Sequence, residues 1–152
     1  MAICSTDPQH PDFAKLKVRW HYQKRDLFKL KLSEKELKQI SDDVELFPTQ
    51  HYQNVYVQTI NARCKVKTLA EFEESSPNPP DTYFTRAEFD EKKRVFKPDF
   101  KSWAAACSCK MPINPQQLYI GCEACDGWFH PECEGVQDAS IENFVCSSCK
   151  SH

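Results

Sequence analysis

Glycine is scarce in this chain, with three residues among 152, at positions 121, 127 and 135. A glycine-rich loop that could cradle phosphates is therefore absent. Long apolar runs are also missing. The longest, Trp103 to Cys107, has five residues, against the roughly twenty that a membrane-spanning helix needs. The first residues, MAICSTDPQHPDF, hold no basic segment followed by an apolar core, so they do not read as a secretory signal and an intracellular protein is expected. Neither charge sign dominates: 20 Lys and Arg stand against 22 Asp and Glu, for a formal net charge of −2. No Ser/His/Asp arrangement and no three-ligand open zinc motif is present, so catalysis is not expected.

Cysteine is what the chain has in abundance. Nine occur, at 4, 64, 107, 109, 122, 125, 133, 146 and 149, and seven of them fall in the last 46 residues. Disulfides are disfavoured inside cells, which makes metal the better account of the cluster. Charge is divided unevenly as well. Residues 107–149 contain six acids and one base, a local net of −5, whereas residues 1–106 hold 18 bases and 16 acids. The change in cysteine, glycine and charge places a boundary near residue 100. The expected division is a 1–14 extension, a first domain over 15–97, a 98–106 linker and a metal-binding unit over 107–149.

In the first part, KLKVRWHY (15–22) alternates strictly, with Leu16, Val18, Trp20 and Tyr22 on one side and Lys15, Lys17, Arg19 and His21 on the other, as in a half-buried strand. Ser33 precedes Glu36 by three residues, and Leu37 and Ile40 follow at helical spacing, so a short capped helix is expected over 34–40. Further strands are expected over 44–47, 53–60, 62–69 and 83–86, and a loop over SSPNPPD (75–81). Cys64, within an alternating strand, is read as buried packing. DEKKR (90–94) is read as a solvated turn that, with Lys97 and Lys101, offers a possible DNA contact. Cys4 is read as an unpaired thiol, and His10, His21, His51 and His152 show no metal spacing.

VRWHY (18–22), ELF (45–47), His51, TINARCKV (59–66) and YFTRAEFD (83–90) together resemble the later part of a bromo-adjacent homology (BAH) domain, an irregular β-barrel-like module of chromatin proteins. Members of that family have further strands before the VRW-like one, so the resemblance implies an incomplete barrel with an exposed sheet edge, which either a partner polypeptide completes or residues 1–14 with altered packing close. In members that bind methylated histone tails, aromatics matching Trp20 and Tyr22 help to form a cage with a third from an earlier strand. This chain has the first two, and two aromatics on one strand face are also consistent with plain core packing.

The C-terminal pattern is C-x-C-x12-C-x2-C-x4-H-x2-C-x12-C-x2-C, formed by Cys107, Cys109, Cys122, Cys125, His130, Cys133, Cys146 and Cys149. Eight soft ligands at knuckle spacings make two tetrahedral zinc sites, whose binding energy replaces the core that so short a segment lacks. The order of four cysteines, one histidine and three cysteines resembles a PHD finger (plant homeodomain-type zinc finger), with Phe144 as its small-core aromatic. The resemblance implies interleaved ligands and hence cross-bracing: Cys107, Cys109, His130 and Cys133 on one zinc, and Cys122, Cys125, Cys146 and Cys149 on the other. The fold class expected is thus mainly β with short helices, an incomplete BAH-like barrel followed by a small cross-braced two-zinc finger.

PHD fingers characteristically bind the basic N-terminal tail of histone H3, and the resemblance carries this to named positions. The peptide adds as an antiparallel strand beside Leu118, Tyr119, Ile120 and Gly121. Trp128, two residues before the zinc-binding histidine, and Tyr119 match two walls of a methyl-lysine cage. A cation over each ring is worth about 0.5 to 2 kcal/mol. The fullest cages carry aromatics where this chain has Ala106 and Ile113, and Met111 offers a polarizable flank. Glu123 and Asp126 are candidates to pair with the arginine near the tail's start, and the stretch from Gly135 through Glu142 is expected near its free amine. Ordinary packing is the competing reading of Trp128 and Tyr119, and solvation that of the acids. The acidity argues against nucleic acid as this unit's ligand.

A non-enzymatic, nuclear histone H3 reader in a chromatin complex is therefore expected, with a methylated fourth-residue lysine as its signal. The alternative is a structural subunit whose BAH-like part completes a partner's fold while the finger only braces it. A ubiquitin ligase is disfavoured by the ligand spacing.

Overall fold

The computed structural model describes residues 2–3, 7–11, 13–137 and 141–151. Cys4, Asp138 and His152 lie outside them. The chain divides into two compact units, one made of Met1–Lys31 with Asp42–Asp99 and the other of Leu32–Ser41 with Phe100–His152. No helix among the described residues is long and apolar enough to cross a membrane.

The first unit opens with β1 (Ala2–Ile3), which pairs with Leu16 and Lys17 of β2 (Lys15–Tyr22). The chain then passes through the segment of the second unit that holds α1 (Glu34–Leu37), and returns to form β3 (Phe47–Tyr56), antiparallel to β2. The register opposes Lys15, Lys17 and Arg19 to Tyr56, Asn54 and Tyr52. The Lys15 and Lys17 ammonium groups stand 5.3 and 5.5 Å from the centroids of the Tyr56 and Tyr52 rings. On the other face, Val18 opposes Gln53, and the Trp20 indole N–H donates to Gln53 Oε1 at 3.1 Å.

Of the strand expected over 44–47 only Phe47 belongs to β3, Glu45 forming an isolated bridge with Phe84 instead, and the strand expected over 53–60 ends at Tyr56, where Val57–Thr59 tightens into a 3-10 turn. The strand expected over 62–69 is shorter. It contains only β4 (Lys65–Thr68), after which α2 (Leu69–Glu74) begins. Thr68 sets the C-terminal end of the strand: its hydroxyl accepts from the Glu71 N–H, while the Glu71 carboxylate accepts from the Thr68 N–H, the reciprocal cap that starts a helix. At its other end the strand begins at Lys65, so Cys64 precedes it and is exposed, not buried, and Val66 is 44% exposed.

β4 runs parallel to β5 (Thr82–Thr85), and β6 (Glu88–Asp90) forms a hairpin with β7 (Val95–Lys97). Phe47, Phe84, Phe89 and Phe96 are buried, with the Phe96 ring 5.0 Å from Phe47 and 5.5 Å from Phe89. The sheets of this unit have three, two and two strands, so the described residues contain strands but no closed barrel.

In the second unit, Ser33 and Glu36 cap the start of α1 reciprocally, and of the helix expected over 34–40 only the first turn, Glu34–Leu37, is formed. Gln39, Ile40 and Ser41 after it are buried, as are Phe100 and Trp103, whose ring centroids lie 4.9 Å apart with the rings tilted by 52°. β8 (Ile120–Gly121) pairs antiparallel with β9 (Trp128–Phe129). Ile120, Cys122, Phe144 and Cys146 make a small core, with Phe129, Val136 and Val145 packed against it. A short helix, α3 (Ser147–Lys150), follows.

Candidate metal centres and recognition face

Each ligand pair lies on a tight turn. The Lys110 N–H donates to the Cys107 carbonyl, the Asp126 N–H to that of Cys122, the Cys133 N–H to that of His130 and the Cys149 N–H to that of Cys146. Lys110 and Asp126 take the left-handed backbone that closes the first two turns. These turns converge in pairs that are far apart in sequence. Cys107, Cys109, His130 and Cys133 form one cluster, and Cys122, Cys125, Cys146 and Cys149 the other, with all ligand atoms of a cluster within 4.8 Å of one another.

A tetrahedral zinc with bonds of about 2.3 Å to sulfur and 2.0 Å to nitrogen sets its ligands about 3.4 to 3.8 Å apart. His130 Nδ1 lies 3.5 Å from Cys109 Sγ and 3.8 Å from Cys133 Sγ, and Cys125 Sγ lies 3.9 Å from Cys146 Sγ. Donor chemistry and spacing both fit. The thiols also shift one another's ionisation. The Cys146 N–H, 3.3 Å from Cys122 Sγ, leads the effects that bring Cys122 down to about 6, while hydrogen bonding from Cys146 and Cys125 pushes Cys149 up to about 12. A divalent ion held by these ligands would favour the thiolate form of each.

His130 is held from behind. Its Nε2 lies 3.0 Å from Gln117 Oε1, and its ring stacks 4.6 Å from that of Tyr119. The Tyr119 hydroxyl accepts from the Asn114 N–H at 3.0 Å. Asn114 and Gln117 were not among the expected site residues. Asn114 signals only its local turn in sequence, since its Oδ1 accepts from the Gln116 N–H.

The strand register places Gly121 opposite Trp128 and Ile120 opposite Phe129. Side chains alternate, so Ile120 and Phe129 face the core while Gly121 and Trp128 share the other face. A Cβ on Gly121 would stand 3.6 Å from the Trp128 ring, which is 56% exposed. Packing alone does not account for so open an indole. β8 has β9 as its only strand neighbour among the described residues, leaving its second edge without a strand. Beside it Leu118 is 61% exposed, Tyr119 half-buried and Ile120 buried. Met111 and Ile113 are half-buried, and the Ile113 N–H donates to the Ala104 carbonyl. Glu123 and Asp126 are exposed, whereas Glu134 is committed to the N–H and hydroxyl of Ser147.

The first unit has a cleft of about 770 Å³ whose lining includes Trp20, Tyr22, His51, Arg25 and Asp81. Trp20 is 41% exposed. The His51 ring lies 6.2 Å from both the Trp20 and Tyr22 rings, edge-on to the latter. Burial, together with the hydrogen bond its hydroxyl donates to Glu91, raises the Tyr22 phenol above its usual range. Core packing therefore describes Trp20 poorly.

The family model for the BAH domain matches residues 3–99. The chain is 32% identical over 139 residues to the chromatin remodeling protein SHL of Arabidopsis thaliana, covering 90% of this chain and 58% of that protein. It is 31% identical over 140 residues to the chromatin remodeling protein EBS of the same plant, covering 90% and 56%. A stretch of 49 residues is 41% identical to the nucleosome-remodeling factor subunit NURF301-like of Caenorhabditis elegans, which is 30% of this chain and 2% of that one. The chain thus spans less than two thirds of the two plant relatives. With a BAH match over residues 3–99 and a C-terminal part holding two four-ligand clusters consistent with a PHD finger, the chain belongs to the BAH domain family.

Proposed function

We propose that this chain is a non-enzymatic, chromatin-associated nuclear protein whose two-zinc finger binds the N-terminal tail of histone H3, favouring a methylated lysine at the fourth residue. The observation that carries the reading is Trp128, exposed over Gly121 on β8, whose second edge has no strand neighbour among the described residues. An extended peptide adding to that edge gains main-chain hydrogen bonds. Its methylammonium lies against the indole, with Tyr119 as the candidate second wall. Glu123 and Asp126 supply exposed negative charge for a basic tail.

Zinc, when bound, supplies the folding energy that so small a core cannot. Cys107, Cys109, His130 and Cys133 would hold one ion, and Cys122, Cys125, Cys146 and Cys149 the other. Four protein ligands at each ion leave no open position for substrate, which supports a structural metal and a non-enzymatic role. The names of the plant relatives support the setting in chromatin.

Amide spectra of the zinc-loaded chain test the site. Addition of an H3 N-terminal peptide trimethylated at the fourth residue is expected to shift the amides of 118–121 and the Trp128 indole N–H. Shifts confined to the first unit would overturn the assignment.

The cleft supports a second reading of the first unit. Trp20, Tyr22 and His51 present three rings there, a setting for another methylated cationic side chain, and Trp20→Ala should abolish binding of a methylated tail that Trp128→Ala leaves intact. Exposed Tyr52, Tyr56, Val57 and Ile60 support the further proposal of a partner polypeptide covering this unit.

A further inference from the structure

Residues 32–41 lie between β2 and β3 in sequence, yet they belong to the unit that holds both metal clusters. Two side chains of that unit fasten them. Gln117 Nε2 donates to the Lys38 carbonyl at 2.9 Å, and Asn114 Nδ2 donates to the same oxygen at 2.8 Å. Lys38 is the C-cap of α1, where helical carbonyls have no partner within the helix. The Ser41 hydroxyl donates to Asn114 Oδ1 at 2.6 Å, and both residues are buried.

The other end of the same Gln117 amide reaches the first metal cluster, with Oε1 3.0 Å from His130 Nε2. His130 turns Nδ1 toward Cys109 and Cys133. For Nδ1 to offer a lone pair to a metal, the neutral imidazole must carry its proton on Nε2, and that proton needs an acceptor. Gln117 Oε1 is that acceptor. The orientation of the amide is fixed in turn by the Lys38 carbonyl, because a flipped amide would set oxygen against oxygen at Lys38 and N–H against N–H at His130. The chain of contacts runs from the cluster through His130 and Gln117 to the backbone at the end of α1.

We propose that Gln117 is the positioning residue of the first metal site and that segment 32–41 orients its amide, so that loading this site and ordering the segment are coupled through that one side chain. The inference rests on the two-zinc reading above, and names which of the two sites the rest of the chain can influence. The second cluster draws its nearest support from elsewhere: the Cys146 N–H donates to Cys122 Sγ and the Glu123 N–H to the Phe144 carbonyl. Outer partners of metal-bound histidine typically change metal affinity by about 10- to 100-fold when removed.

The test uses the full chain with its zinc content measured first. Fewer than two ions per chain would overturn the zinc reading, and this inference with it. With two bound, zinc release to a chelating dye should proceed in two phases. Gln117→Leu should accelerate one phase about 10- to 100-fold and leave the other unchanged. Gln117→Glu restores an acceptor for the imidazole but sets a carboxylate against the Lys38 carbonyl. It should therefore recover slow release and the slowly exchanging His130 Nε2–H signal, while amides of 34–41 lose protection from hydrogen exchange. Chelation of the unaltered chain should expose 34–41 and spare the amides of β2 and β3. Equal acceleration of both phases by Gln117→Leu, release within twofold of the unaltered chain, or continued protection of 34–41 after chelation would each overturn the proposal.

Discussion

Arg86 meets Glu45 at two points, Nε 2.6 Å from Oε1 and Nη2 3.0 Å from Oε2, with the carboxylate side chain fully buried and the guanidinium side chain 7% exposed. The guanidinium also lies 5.7 Å from the Phe84 ring centroid, and Glu45 forms a bridge with Phe84 that continues the edge of β5. A buried charge needs its partner far more than the pair needs to be ionic. Glu45→Leu alone is expected to destabilise the first unit by about 3 to 5 kcal/mol, whereas Glu45→Leu with Arg86→Met should recover most of that loss. Urea unfolding of the two variants measures it, and equal losses in both would show that the geometry, not the unpaired charge, dominates.

Gly127 is confined by the second metal cluster. A Cβ there would stand 3.0 Å from Phe129 Cε2 and 3.3 Å from Cys125 Sγ. One neighbour belongs to the small core and the other is a candidate ligand, so neither can yield cheaply. Gly127→Ala should cost about 1 to 3 kcal/mol, visible as a lower melting temperature and faster zinc loss from the second site. An unchanged melting curve would mean that the knuckle adjusts freely.

The β6–β7 hairpin carries a titration of known sign. The Lys97 ammonium, 2.8 Å from Asp90 Oδ2, and the Lys93 N–H lower the Asp90 carboxyl from 3.8 to about 2. A depressed carboxylate stabilises the fold above its unfolded value and loses that contribution as pH falls through the folded one. Its effect should therefore be intact at pH 5 and fade toward about pH 2. Carbon NMR of the Asp90 carboxyl reads this directly, and Lys97→Met should move the midpoint upward.

Much of the candidate site was legible because its signals are local. Ligand spacing marked the eight ligands, the resemblance to a PHD finger implied their division into two interleaved sets, the alternation of 15–22 marked β2, and the Ser33/Glu36 pair marked the start of α1. The Thr68/Glu71 pair carries the same helix signal, but it sits after an alternating stretch, and the strand reading prevailed over it. Cys64 differs for another reason: it stands one residue before β4 begins at Lys65. What could not be read were pairings at a distance. Nothing near Lys38 announces that its carbonyl meets Asn114 and Gln117, 76 and 79 positions away. Trp20 followed the apolar side of its strand, yet it borders a cleft, because alternation reports a face and not what covers it.

The central claim is that Trp128 reads methylation on the H3 tail. Its most direct test is a binding titration of the zinc-loaded chain with H3 N-terminal peptides, unmodified and mono-, di- and trimethylated at the fourth residue, repeated with Trp128→Ala. The account predicts tighter binding with methylation, by about tenfold or more from cation–ring contacts, and loss of that preference in the variant with two zinc ions still bound. Equal affinity for all four peptides, or a methylation preference that survives Trp128→Ala, would contradict it.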